Sequence, residues 1–184
     1  DGLSSPRELD ANGDPLPSAR QVSNLVANHI EQRSRARNPR RHTDLLTYFG
    51  QFIDHDIDLT PEGGDDFNIV IPAGDPIFTG EFHFTRAVPI SGTPATDPLE
   101  HPNIISAFID GTNVYGSDLD RATKLRTLSN GLMKTSSGDF LPFNLDELNL
   151  GMANIGFVPD NETFVAGDIR ANENAVLMSL HTLF

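Results

Sequence analysis

Apolar positions along this chain fall into a few helical stripes separated by long stretches with no period. Val22, Leu25, Val26 and Ile30 recur at helical spacing, which predicts a first helix from Ser18 to about Ile30. Arg33, Arg35, Arg37, Arg40 and Arg41, with Pro39 among them, interrupt that stripe. Thr43 is then a candidate N-cap for a second helix with Leu45, Leu46, Phe49, Phe52 and Ile53 on one side. It should stop near Asp58, ahead of Pro61 and Gly63-Gly64. Leu119, Leu125, Leu128 and Leu132 predict a third helix over 118–132. A fourth begins at Asn172 and carries Ala175, Val176, Leu177, Leu180, Leu183 and Phe184; no stop signal follows, so it is expected to run on past the last residue.

The segments between are irregular. Residues 1–17 form an arm rich in Gly, Pro, Asp and Asn. Residues 61–102 are broken by prolines around Ile69-Val70-Ile71 and Glu81-Phe82-His83-Phe84, which predicts long loop with a small hairpin. Residues 139–166 return to loop. Loops of this length are usually functional or draped over a larger body. The expected fold class is therefore mainly α with long irregular loops, divided into the 1–17 arm and a partial domain over 18–184.

Composition narrows the function more than the fold. With 184 residues the chain can bury one sizeable core, and 15 glycines and 13 prolines agree with a loop-rich protein. There are no cysteines, so disulfides and thiolate metal sites are excluded. A net charge of −13 argues against nucleic acid and anionic membranes, and is compatible with divalent cations. The arginine cluster reads as a solvated linker or helix end. No apolar run reaches the ~20 residues of a membrane span, and no signal peptide opens the chain. Asn161-Glu162-Thr163 fits a glycosylation sequon, which matters only in a eukaryotic secretory setting.

The candidate chemistry sits on the second helix. At about 100° per residue, Gln51 and His55 share a face, Asp54 lies on an adjacent one and Asp56 points nearly opposite. Such a helix end can present an amide and an imidazole to a pocket with a carboxylate behind. From residue types alone the Asp54-His55-Asp56 triplet is either a solvated helix end or a metal site. Further on, Ser106, Phe108, Asp110 and Thr112 alternate by two, so an extended loop would bring them to one side. Their oxygens suit a hard cation; the plainer reading of 104–117 is a buried strand-like segment with a Gly turn.

Three ordered blocks bear a family resemblance that covers roughly 12–184. Leu46 to Pro61, with Gln51-Phe52-Ile53-Asp54-His55-Asp56 at its centre, resembles the distal-histidine signature of animal-type haem peroxidases, the peroxidase–cyclooxygenase group that includes peroxinectins and bacterial relatives. Ser106 to Ser117 resembles the family's calcium loop. Ala166-Gly167-Asp168-Ile169-Arg170-Ala171-Asn172-Glu173 followed by His181-Thr182-Leu183-Phe184 resembles its distal-arginine motif, and Pro17 to Ser23 fits its opening segment.

This resemblance implies an enzyme that uses hydrogen peroxide and a small reductant. It assigns His55 as the acid–base, Arg170 as the cation that stabilises the departing oxygen, and Gln51 as a hydrogen-bond partner for water, peroxide or halide. The implied cofactors are haem b and Ca²⁺. Asp54 and Glu173 match the carboxylates that form ester links to haem in mammalian members. Asn174 stands where the myeloperoxidase branch has methionine, so that branch's sulfonium link is not implied. Asp56, Ser106, Phe108 (through its carbonyl), Asp110 and Thr112 match the calcium ligands. The family's proximal axial histidine comes downstream of the arginine motif, and no residue here matches it. His29, His42, His83, His101 and His181 read as structural or solvated.

The chain is thus expected to be a distal-side portion whose partner is the missing C-terminal part of the same domain, or else a shortened module that folds without haem. The lead expectation is a secreted, extracellular peroxidase oxidising halides, pseudohalides or small organic donors. Absent cysteines favour a bacterial secreted protein over a disulfide-rich mammalian one. Alternatives are a calcium-stabilised adhesion module of peroxinectin type and a Mn(II)-oxidising bacterial peroxidase.

Overall fold

The structure is a computed structural model that describes residues 9–32, 40–92, 100–153 and 158–184, with backbone alone for 27–32. Arg33, Arg35 and Arg37, and the side chains of His29 and Ile30, lie outside the described residues. Helices dominate the regular structure, long irregular connections join them, and one two-residue-per-strand hairpin is the whole sheet among the described residues. No described helix is long and apolar enough to cross a membrane. The chain divides into two compact units: 1–41 with 60–102, and 42–59 with 103–184.

In the first unit, α1 (Ala19–Gln32) starts where the stripe predicts. A reciprocal capping box explains the start: Ser18 N–H donates to Gln21 Oε1 (2.7 Å) and Gln21 N–H to Ser18 Oγ (3.2 Å). The stripe itself does not bury, since Val22, Leu25 and Val26 are exposed. The polar residues hold this helix instead. Arg20 grips Asp75 with Nε and Nη2 (2.7 and 3.0 Å), and Asn24 donates to the same carboxylate at 2.7 Å. The guanidinium also lies over the rings of Phe78 and Phe82. The hydrogen bonds from Arg20 lead the causes that hold the Asp75 carboxyl well below the usual range. The predicted hairpin forms as β1 (Ile69–Val70) and β2 (Glu81–Phe82), antiparallel with Ile69 opposite Phe82.

In the second unit, α2 (Leu45–Ile57) covers the predicted second helix. Its cap differs from expectation. Asp44, not Thr43, stands at the N-cap with helical backbone and no side-chain cap, and the first turn closes through Leu46 N–H to Thr43 O and Thr47 N–H to Asp44 O. The last helix, α5 (Ala175–Leu183), begins at Asn174, whose Oδ1 accepts the N–H of Leu177. Phe52 of α2 meets Leu177 and Leu180 of α5 and Val114 of the single-turn α3 (Thr112–Tyr115). Burying each of these large side chains contributes about 1.5–3 kcal/mol, which locks α2 against α5. A second cluster joins Leu125, Leu148, Leu150 and Val165.

The predicted helix over 118–132 is a correction. Only α4 (Leu119–Lys124) forms, capped by Asp118, whose side chain accepts the Arg121 N–H. Beyond it the chain doubles back: Leu128, Asn130 and Gly131 take positive φ, and Arg126 bridges Met133. Of the stripe, Leu125 alone is buried, and Leu119 is 84% exposed. Asn-Gly turn chemistry outweighed the leucine spacing. Arg121 is buried and donates to Ala166 O (2.9 Å) and to Gly151 O, fastening two irregular stretches to α4.

Candidate active site

α2 fixes the first half of the site by its own periodicity. Its buried residues are Phe52, His55 and Asp56, while Asp54 between them is exposed. Phe52 supplies the apolar anchor, His55 faces the segment 168–174, and Asp56 faces 110–113.

The 168–174 segment arrives by an unusually close approach. Gly167 N–H donates to Val114 O (3.2 Å) and Asp168 N–H to Asn113 O (2.7 Å). A Cβ on Gly167 would overlap the backbone of Thr112, Asn113 and Gly116, so only glycine fits there. This contact carries Asp168 to His55. Asp168 Oδ2 lies 2.7 Å from His55 Nδ1, both side chains nearly fully buried. Asp168 Oδ1 accepts from Arg170 Nε at 3.0 Å. Burial pushes the Asp168 carboxyl up, but the His55 hydrogen bond and the Arg170 charge outweigh it and hold it below the usual range.

Arg170 is anchored to the end of α2 as well. Its Nη2 donates to Asp58 O (2.8 Å) and His55 O (3.3 Å), which satisfies carbonyls left open by the helix terminus. On the other edge of the imidazole, His55 Nε2 lies 3.8 Å from Glu173 Oε2. Gln51 Nε2 donates to that same oxygen at 2.8 Å, and Gln51 Oε1 accepts from Asn174 Nδ2 at 3.0 Å. His55, Arg170, Gln51 and Glu173 therefore meet, and the Gln51 amide is engaged at both ends within the protein. Asp54 stands apart from this cluster on the exposed face.

The carboxylate of Asp56, 2% exposed, is saturated by donors. Oδ2 accepts the N–H groups of Asp110 and Gly111 (2.9 Å each), and Oδ1 accepts Thr112 Oγ1 and Asn113 N–H (3.1 Å each). Ser106 Oγ donates to Asp110 Oδ2 at 2.7 Å and holds that carboxyl below its ordinary range. Residues 105–111 are a bent loop, neither the extended loop that spacing by two predicts nor the buried strand-like segment of the plainer reading. Phe108 is 75% exposed and its N–H donates to Ser106 Oγ. Ser106, Asp110, Thr112 and Asp56 nonetheless join one hydrogen-bonded chain. Among the described residues no three His, Cys, Asp or Glu side chains gather as a metal site; the loop offers one carboxylate, Asp110, beside Asp56 of α2, and the other oxygens are hydroxyl and carbonyl.

Two residues with no role assigned from sequence belong to the site. Asp168 is one, an acid between the apolar Val165-Ala166-Gly167 run and Arg170. The other is Asn113, buried, whose Nδ2 donates to Phe52 O at 2.8 Å and ties α3 to α2. Of the remaining histidines, His42, His83 and His101 are exposed, whereas His181 is buried.

The sequence model of the animal haem peroxidase family matches residues 1–184. The chain belongs to that family. Among its relatives it is 35% identical over its whole length to a peroxidase-like protein of Margaritifera margaritifera, covering 25% of that protein. It is 32% identical to lactoperoxidase of Mesocricetus auratus, covering all of this chain and 31% of the relative. It is 29% identical to peroxinectin A of Dictyostelium discoideum, covering 98% and 37%. The chain thus spans about a quarter to a third of the first two and little more of the third. Among solved structures, Peroxidase A from Dictyostelium discoideum superposes with a TM-score of 0.67 at 24% identity, over 98% of this chain and 39% of that one, a likeness of fold. A rice fatty acid alpha-dioxygenase crystallised with palmitic acid gives 0.52 at 26% identity, over 76% and 20%.

Proposed function

We propose that residues 18–184 are the distal portion of an exported haem peroxidase domain, with 1–17 as its arm, acting on hydrogen peroxide and on halide, pseudohalide or small organic donors. The observation that carries this reading is the convergence of His55, Gln51, Arg170 and Glu173 from two segments more than a hundred residues apart. Family membership supports haem as the cofactor, and the donor set fits it: an imidazole edge, an amide, a guanidinium and a carboxylate on one side of α2. Haem b, when bound, supplies the iron that delivers electrons to the peroxide O–O bond.

The chain's own residues do the rest. His55 Nε2 takes the proton from one peroxide oxygen and returns it to the other as that oxygen leaves as water. The Arg170 guanidinium offsets the negative charge that grows on the departing oxygen. Gln51, whose amide now donates to Glu173, would hydrogen-bond water, peroxide or halide at this site, and Glu173 and Asp54 are the carboxylates that would hold the haem by ester links. A ligand to the haem iron would come from outside these residues. Calcium belongs to the 106–112 loop. Asp56, Asp110, Ser106 and Thr112 with the Phe108 carbonyl are hard oxygen donors, and a cation there fastens the loop to the residue next to His55.

The test is the bimolecular rate of the haem-loaded full-length protein with hydrogen peroxide. His55→Leu should lower it by roughly 10²- to 10⁴-fold, the usual worth of a general acid–base, with haem still bound. A rate within threefold of the parent protein would refute the assignment of His55.

A further inference from the structure

We propose that Asp168 is the positioning residue of the site: one carboxylate fixes the tautomer and direction of His55 and, with its second oxygen, the register of Arg170. The proposal rests on the reading of His55 as the base for peroxide, and it names what makes that base competent.

An ionised carboxylate can only accept hydrogen bonds. At 2.7 Å from Asp168 Oδ2, the Nδ1 of His55 must therefore carry the proton and donate. A neutral imidazole has one N–H, so Nε2 is left as a bare acceptor. That bare nitrogen is the edge turned toward Glu173 and Gln51, the side on which proton transfer is needed. The other tautomer would put a lone pair against the carboxylate and an N–H where the base should be.

The carboxylate is itself held from both directions. The backbone of Asp168 and Gly167 is bonded to Asn113 and Val114 of α3 at van der Waals limits. α3 in turn is bonded to α2 through Asn113 Nδ2 on Phe52 O and Asn113 N–H on Asp56. Asp168 therefore cannot drift from His55 without breaking α3 from α2. Its second oxygen binds Arg170 Nε at 3.0 Å, while Arg170 Nη2 holds the carbonyls of His55 and Asp58. Base and guanidinium are thus registered to each other through a single buried acid, with side chains 6%, 2% and 16% exposed for His55, Asp168 and Arg170.

The experiment uses the haem-loaded full-length protein and the isosteric Asp168→Asn variant, whose amide can donate to Nδ1 and so favours the wrong tautomer. The Soret band should be unchanged, while the rate with hydrogen peroxide falls roughly 10²- to 10³-fold. The association rate of cyanide should fall in the same proportion, because hydrogen cyanide must also surrender its proton to the base; this readout is binding, not turnover. Asp168→Glu should recover part of both rates. In a His55→Leu background, Asp168→Asn should cost less than twofold more, since it acts through His55. An intact Soret band with both rates within threefold of the parent overturns the proposal, as do additive losses in the double variant. Should Asp168→Asn fail to take up haem, histidine ¹⁵N spectra of the parent decide: protonated Nδ1 with bare Nε2 supports the assignment, and the reverse contradicts it. A parent protein with no Soret band sinks the peroxidase reading alone, and the same ¹⁵N spectra still judge Asp168.

Discussion

His181 is buried to 2% exposure, and among the described residues neither ring nitrogen has a hydrogen-bond partner. Its ring packs edge-on against Phe52 at 5.0 Å and lines a cavity of about 140 Å³ with Val114, Leu125 and Val165. Burial pushes its pKa down to about 4, against a raising effect from Asp168 and with His55 and Arg170 adding to the depression. A buried base with a depressed pKa has a definite sign. Between the unfolded value near 6.5 and the folded value near 4, the unfolded chain binds the proton and the folded one does not. Stability should therefore fall as pH drops through that window, by on the order of 2–3 kcal/mol in total. Urea midpoints at pH 7 and pH 4.5 check this: His181→Phe should flatten the difference relative to the parent, and parallel slopes would contradict it.

On the proposed reading the 106–113 loop is the element that joins a cation to catalysis. It presents Asp110, Ser106 and Thr112 beside Asp56, the neighbour of His55. With calcium in large excess over its dissociation constant, linkage gives about 2–3 kcal/mol, or roughly 5–10 °C in the thermal midpoint. Asp110→Ala should lose that increment in calcium and change little in chelator; equal losses in both would exclude the loop as a cation site. The elements differ in how far their residues announce them. Spacing located α2 and the faces of Gln51, His55 and Asp56, because one helix makes period and burial agree. It located the hairpin from two short β-prone runs. It located α1 as well, although Val22, Leu25 and Val26 stay exposed and Arg20 carries the packing, and it failed for 118–132, where leucines at helical spacing met an Asn130-Gly131 turn. Spacing by two at 106–112 grouped residues that join one hydrogen-bonded chain, but they do so through a bent loop. Asp168 and Asn113 were illegible in role because their partners lie 113 and 61 positions away.

For the molecule as a whole, a charge of −13 sets the background for a divalent cation and disfavours polyanionic partners. Within the second unit, α2, α3, α5 and the Asp168 segment form one connected frame, with Phe52 and Leu177 as its apolar centre and Asp56 and Asp168 as its buried acids. On the proposed reading that frame presents the residues of one face of a haem site, and the relatives extend well beyond the matched part. On that same reading this frame holds haem so that His55 can act on peroxide. The most direct measurement is the Soret band of the full-length protein supplied with haem and calcium, followed while hydrogen peroxide and iodide are added. A stoichiometric band with peroxide-dependent iodide oxidation, and the same band without oxidation in His55→Leu, is the predicted result. Absence of a Soret band, or oxidation undiminished by His55→Leu, would contradict it.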